Sequence, residues 1–220
     1  AVMEMLFSSG TPSRVPIASI TGTNGKTTVS RMVAHIHKLS GNTVGLATTD
    51  GVYIDGNLTV KGDLTGPRAA QMILRDPTVD AAILETARGG LLRRGMGYER
   101  CDVGAVINVD ADHLGLKGIE TVEDLARVKR IVVEVATDTA VLNADDELCL
   151  KMAGHTQAKN ICYVTMNANH PLVREHVRIG GRALVLEQGM NGHMITIYEN
   201  SANIQLMWTH LIPATIDGKA

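Results

Sequence analysis

Aromatic side chains are almost absent: the 220 residues hold one tryptophan, one phenylalanine and four tyrosines. A nucleic-acid surface needs stacking rings and a basic excess, and with a formal net charge of -2 this chain offers neither. Cysteine is scarce too. Cys101, Cys149 and Cys162 are odd in number, widely spaced and without a C-x-x-C pair, so they read as buried thiols in a reducing compartment rather than as a disulfide framework. No apolar run approaches membrane-spanning length, and no basic stretch followed by an apolar core opens the chain. Internal repeats, low-complexity tracts and Pro/Ser-rich linkers are missing as well. The expectation is a soluble cytoplasmic domain with no membrane and no nucleic-acid partner.

What is present is an ordinary globular composition, 45% hydrophobic and 20% charged, in a chain long enough to bury a sizeable core. The stretch that organises it is Ile20-Thr21-Gly22-Thr23-Asn24-Gly25-Lys26-Thr27-Thr28. An apolar, β-branched run over 15–20 precedes it and reads as a buried strand. The apolar spacing of Val29, Met32, Val33 and Ile36 after it reads as a helix. Strand, glycine-rich turn, Lys-Thr and helix make a phosphate-binding loop. Glycines let successive backbone N–H groups turn toward one anion, and the helix N-terminus adds unpaired donors and its positive dipole end. In that arrangement Lys26 reaches the β- and γ-phosphates of a nucleotide and the Thr27 hydroxyl ligates Mg²⁺. The standard spacing would put a further glycine at position 20, where this chain has Ile20, so only the shorter form of the loop is present.

Strand-like and helix-like segments then alternate to about residue 165. The first helix stops at Gly41-Asn42, and residues 43–49 form the next strand. Tyr53-Ile54 and Leu58-Thr59-Val60 flank an Asp55-Gly56 turn as a hairpin. Pro67 starts a helix that ends before Asp76-Pro77. Residues 81–84 form a buried strand delivering Glu85, and 103–107 another delivering Asn108. Thr121 caps a helix running to about Ala136, and Val141-Leu142 open a fifth strand ending at Asn143. After Thr165 the texture changes to an antiparallel hairpin over 182–199 and a third strand at 204–208. The fold class expected is α/β: a mostly parallel sheet flanked by helices, with a small antiparallel region at about 180–212 belonging to the same domain. Ligands of such sheets bind off the carboxyl ends of the strands, where the polar residues fall.

Mg²⁺ takes hard oxygen ligands, which makes the strand-end Glu85 the leading carboxylate. Thr49 offers a further hydroxyl, or is a commonplace strand-end threonine. Asn108, Asp110, Asp112 and His113 crowd one loop and point to a metal role. Arg88, Arg93 and Arg94, beside Gly89-Gly90, either hold an anionic substrate or form a solvated basic turn. On pattern alone Lys129 is an ordinary solvated lysine.

In order and type, Thr21–Thr27, Glu85, Asp112-His113-Leu114 and Asn143-Ala-Asp-Asp146 resemble the central ATP-binding domain of the Mur ligase superfamily. Within it, residues 48–56, 62–67 and 84–95 are most similar to the cyanophycin synthetase family, and the likeness covers essentially the whole chain. The resemblance implies ATP-dependent amide ligation through an acyl phosphate, with arginine joined to the β-carboxylate of the terminal aspartate of a polyaspartate chain. It implies that Gly22, Thr23, Asn24, Gly25, Lys26, Thr27, Thr28, Asn143 and Asp145 bind ATP. A first Mg²⁺ is expected on Thr27 and Glu85, with Thr49 beside them. A second is expected on His113 and Lys129, the lysine being carbamylated as in the family. Also implied are an ATP-grasp domain upstream, a C-terminal lobe downstream and a homo-oligomer at full length. Rival readings are a Mur-type ligase with another acceptor and a catalytically silent nucleotide-binding module.

Overall fold

The computed structural model describes residues 14–111, 114–115, 118–190, 192–200 and 202–212. They form an α/β architecture in two compact units. One comprises the described residues through Ile20 with Gly25–Asp102, the other Thr21–Asn24 with Val103 onward.

In the first unit β1 (Ile17–Thr21) runs into the loop that opens α1 (Lys26–Leu39). β2 (Val44–Thr48), β3 (Gly51–Ile54) and β4 (Asn57–Lys61) follow, then α2 (Pro67–Leu74), β5 (Ala81–Glu85) and α3 (Arg88–Arg94). The strand order is β1-β5-β2-β3-β4, parallel across the first three and antiparallel for the hairpin. Every residue of β2 and β5 is buried, because α1 and α2 both pack on these strands. Continuous apolar sequence is what a strand covered on both faces requires. The hairpin turn forms at Asp55 (φ 49) and Gly56 (φ 82), the double left-handed conformation that an Asp-Gly pair favours. Ile20 pairs with Glu85 and Ala47 with Leu84, so these strands end at a common level and place Glu85 at the carboxyl edge.

The second unit contains most of β6 (Cys101–Val106), then α4 (Val122–Glu134), β7 (Ala136–Asn143), α5 (Glu147–Lys151), β8 (Asn160–Thr165) and α6 (Pro171–Arg178). The antiparallel strands β9 (Arg182–Gly189), β10 (Gly192–Glu199) and β11 (Ala202–Trp208) complete it. α4 starts with a full capping box: Thr121 accepts from the Asp124 amide and the Asp124 carboxylate accepts from the Thr121 amide. Gly104 lets α4 approach β6 closely, since a Cβ there would sit 2.3 Å from the Val132 carbonyl oxygen.

Two features depart from the sequence expectation. β9 runs parallel to β8 and so prolongs the parallel run, with antiparallel pairing beginning only at β10. The break in texture after Thr165 hides α6, a short helix that exposes Leu172, Glu175 and Arg178. Leu172, Val173 and Val177 share its apolar side, but at eight residues the helix spans barely two turns, too short for a period to stand out from the sequence. Of the thiols, Cys101 and Cys149 are buried, but Cys162 is partly exposed. Burial pushes the Cys101 thiol up to about 12 and that of Cys162 up to about 11, so both stay protonated at neutral pH.

Candidate active site

The glycine-rich loop takes its shape from local chemistry. Gly25 is left-handed (φ 80), which a β-carbon would penalise, and α1 begins at the next residue. No side chain caps that N-terminus, and no acidic residue lies in its first turn. Lys26, Thr27 and Thr28 therefore carry amides of the kind that attract anions. Ile20 stands where a longer glycine pattern would need glycine because that position lies inside β1, 3% exposed.

In the first unit three expected residues come together. The Thr27 hydroxyl donates to Glu85 Oε2 at 2.9 Å, the Thr49 amide donates to the same oxygen at 3.3 Å, and the two threonine hydroxyls are 3.3 Å apart. Glu85 is 2% exposed, and its Oε1 is buried without a hydrogen-bond partner among the described residues. Burial raises its pKa, against the opposing pull of the Thr27 and Thr49 hydrogen bonds and the Lys26 charge. A buried carboxylate oxygen left over beside two hydroxyls is a hard-oxygen donor set, and it fits Mg²⁺.

In the second unit Asn108, expected among metal-loop residues, instead holds the loop. Its Oδ1 accepts from the Thr23 amide at 2.8 Å and from the Asn24 amide at 2.9 Å, and its Nδ2 donates to the Asn24 carbonyl at 3.2 Å. The Thr23 and Asn24 amides thus help to shape the loop. Gly22 is needed for close approach, since a Cβ there would lie 3.1 Å from Ile107 Cβ. Lys129, on α4, is 3% exposed, and its Nζ donates to the Gly22 carbonyl at 2.6 Å. The solvated lysine that its pattern suggests is not what forms: Leu125, Val128 and Val132 are buried with it on the inward face.

Asn143 donates to the Ile107 carbonyl at 2.9 Å and accepts from the Asp145 amide. Both Asp145 oxygens are engaged, one by the Thr165 hydroxyl and one by the Met166 amide. Asp146 caps α5 and takes the Val109 amide at 2.6 Å. Asp112 and His113 lie outside the described residues. Among those described, no group of three His, Cys, Asp or Glu side chains is arranged to hold a metal. Arg88, Arg93 and Arg94 fall on α3, which the sequence suggested as a turn; Arg93 and Arg94 are exposed.

The role of Asn108 is checkable. Asn108→Ala removes three hydrogen bonds and is expected to lower stability by about 2–3 kcal/mol, at roughly 1 kcal/mol net for each, and to weaken nucleotide binding. Asn108→Asp keeps the acceptor but sets a carboxylate oxygen against the Asn24 carbonyl, and is expected to recover only part of the stability in urea unfolding.

Comparisons with known proteins give the family and the fold. The family description "Mur ligase middle domain" matches residues 20–211. A cyanophycin synthetase from Synechocystis sp. is 50% identical over 221 residues, covering 100% of this chain and 25% of that protein. The UDP-N-acetylmuramoyl-L-alanyl-D-glutamate–2,6-diaminopimelate ligase of Parabacteroides distasonis is 31% identical over 161 residues, covering 70% of this chain and 33% of that one. A solved structure of a ligase with that same substrate name superposes with a TM-score of 0.63 at 23% identity, over 88% of this chain and 39% of its own. The chain spans about a quarter of the length of the cyanophycin synthetases it matches.

Proposed function

This chain belongs to the Mur ligase family, and from that membership we propose that it is the middle domain of a cyanophycin synthetase, using ATP to add arginine to the β-carboxylate of a terminal aspartate on polyaspartate. The observation that carries the reading is the Thr27–Glu85–Thr49 cluster with its leftover buried oxygen, in a chain half identical to cyanophycin synthetases. Bound there, Mg²⁺ supplies electrostatic stabilisation of the transferred phosphoryl group. Thr27 and Glu85 hold it, with Thr49 beside them. Lys26 and the uncapped amides of α1 bind the β- and γ-phosphates and meet charge as it develops. The acceptor carboxylate attacks the γ-phosphorus, giving an acyl phosphate and ADP. The arginine amine then attacks the acyl carbon, phosphate leaves, and the amine proton is lost as the amide forms.

His113 and a carbamylated Lys129 belong to the reading as the residues for a second Mg²⁺. The inward aim of Lys129 supports it, because a buried amine beside a backbone carbonyl is screened from bulk water. The remaining parts are the upstream ATP-grasp domain, the downstream lobe, homo-oligomerisation and a cytoplasmic location.

The test uses the full-length protein with ATP, Mg²⁺ and a polyaspartate primer. Arginine is expected to drive ADP release and to add its residue mass to the primer. Lysine, glutamate and alanine should do so at least about tenfold less well, as expected where a substrate's polar end must be matched. Faster addition of another amino acid would replace this reading with a Mur-type ligase of different specificity. ATP binding without turnover on any of them would make it a silent module.

A further inference from the structure

The first unit contains a chain of buried hydroxyls that the metal site does not use. Tyr98 Oη donates to Ser19 Oγ at 2.6 Å, and Ser19 Oγ lies 2.9 Å from Thr86 Oγ1. Thr86 Oγ1 donates onward to the Leu84 carbonyl at 3.4 Å. Thr86 also hydrogen-bonds the phenol directly, so the three hydroxyls form one closed network against the Leu84 carbonyl. Burial drives the Tyr98 phenol pKa well upward, so the phenol stays a donor. Ser19 is 0% exposed and Thr86 is 5% exposed. Phenylalanine, alanine and valine would pack in these places without the cost of desolvating three hydroxyls. The loop that brings Tyr98 here is also costly to build. Gly95 and Gly97 flank its approach with φ of 73 and 79, and a Cβ at Gly97 would meet Pro67 Cα at 2.7 Å.

We propose that Tyr98 is a positioning residue for the metal carboxylate, acting through Ser19 and Thr86 to fix how Glu85 is aimed. Successive side chains of a strand point to opposite faces. Leu84 and Thr86, gripped by the network, bracket Glu85, whose own carboxylate turns to the other side, toward Thr27 and Thr49. Glu85 is also the last residue of β5, where a strand is freest to shift. Beyond it the Thr86 amide donates to the Ile20 carbonyl at 2.8 Å and carries the ladder one step further. Ser19 sits opposite Leu84 in the β1–β5 register, so the network ties both strands together directly beneath the carboxylate. Mg²⁺ demands near-ideal octahedral geometry, and small errors in carboxylate aim weaken it. The inference rests on the proposed metal role of Glu85 and adds the group that holds it in line.

The experiment follows Mg²⁺-dependent binding of a fluorescent ATP analogue to the full-length protein. Tyr98→Phe keeps the ring and removes the donor. It is expected to raise the Mg²⁺ concentration for half-maximal binding by about tenfold, the low end of what loss of an outer-shell partner costs. Saturating Mg²⁺ should restore binding. Thr86→Val should shift the midpoint similarly, and the double variant should shift it by less than the product, because both break one network. Tyr198→Phe removes another phenol, bonded to Glu187 at 2.6 Å, and should leave the midpoint unchanged. Unshifted midpoints for both Tyr98→Phe and Thr86→Val, with the wild type responding to Mg²⁺, overturn the positioning role. Loss of binding that saturating Mg²⁺ does not restore shows a purely structural tyrosine and overturns it as well. A wild type that binds the analogue without regard to Mg²⁺ overturns the metal reading of Glu85 and this inference with it.

Discussion

Lys26→Ala in the full-length protein is expected to lower kcat for arginine addition by about 100-fold or more, the loss that follows removal of one preorganised electrostatic group. Lys26 is the first helical residue of α1, with its side chain only half-buried, so little packing is lost and the thermal midpoint should hardly move. A phosphate-loop ammonium interacts more strongly with the transferring phosphoryl group than with the ground-state nucleotide. Its removal should therefore lower kcat and kcat/KM together rather than raise KM alone. Steady-state kinetics at saturating ATP measure the effect. A kcat within about threefold of wild type, less than 1 kcal/mol of barrier, would remove Lys26 from the phosphoryl-transfer machinery.

Glu85→Gln should abolish Mg²⁺-dependent nucleotide binding and bring kcat down by a comparable factor, because an amide offers Mg²⁺ no anionic oxygen. Its effect on stability should run the other way. The folded-state pKa of Glu85 is raised above the ordinary value of 4.5, mainly by burial. Between 4.5 and that raised value the folded protein holds a proton that the unfolded chain has released. Stability of the metal-free protein therefore falls as pH rises through this window, and the cost of the buried charge is complete above it. Glutamine carries no such charge. The metal-free variant should match or exceed the wild type in thermal midpoint at neutral pH and lose that margin toward about pH 4, where the wild-type carboxyl is protonated. Adding Mg²⁺ to protein already holding ATP should raise the midpoint further in the wild type alone, since only a ligand bound to the folded state raises it. A variant that still gains stability from Mg²⁺ would move the metal away from Glu85. One that is less stable than the wild type only above the window would contradict the sign of the burial effect.

What the sequence determined by itself is what neighbours along the chain decide. The phosphate loop, the Asp55-Gly56 turn and the Thr121 cap are each set within a few residues by backbone geometry and local hydrogen bonding. Buried strands announce themselves as unbroken apolar runs, which is why the run over 81–84 by itself puts Glu85 at a strand end. α3 and α6 stay hidden because they are short, seven and eight residues, so that about two turns give a helical period too little length to stand out, and α3 buries no side chain fully. The meetings between distant residues are decided only in three dimensions. Thr27 and Glu85 are 58 positions apart, Tyr98 and Ser19 are 79, Asn24 and Asn108 are 84, and Gly22 and Lys129 are 107. No local preference encodes such pairs; strand order and register do, by choosing which strand ends stand side by side. The same tertiary choice turns Asn108 from a metal-loop candidate into the brace of the glycine loop, and it buries Lys129. A polar side chain's role depends on which unpaired backbone group the fold sets within about 3 Å of it, and that distance is fixed by packing rather than by sequence spacing.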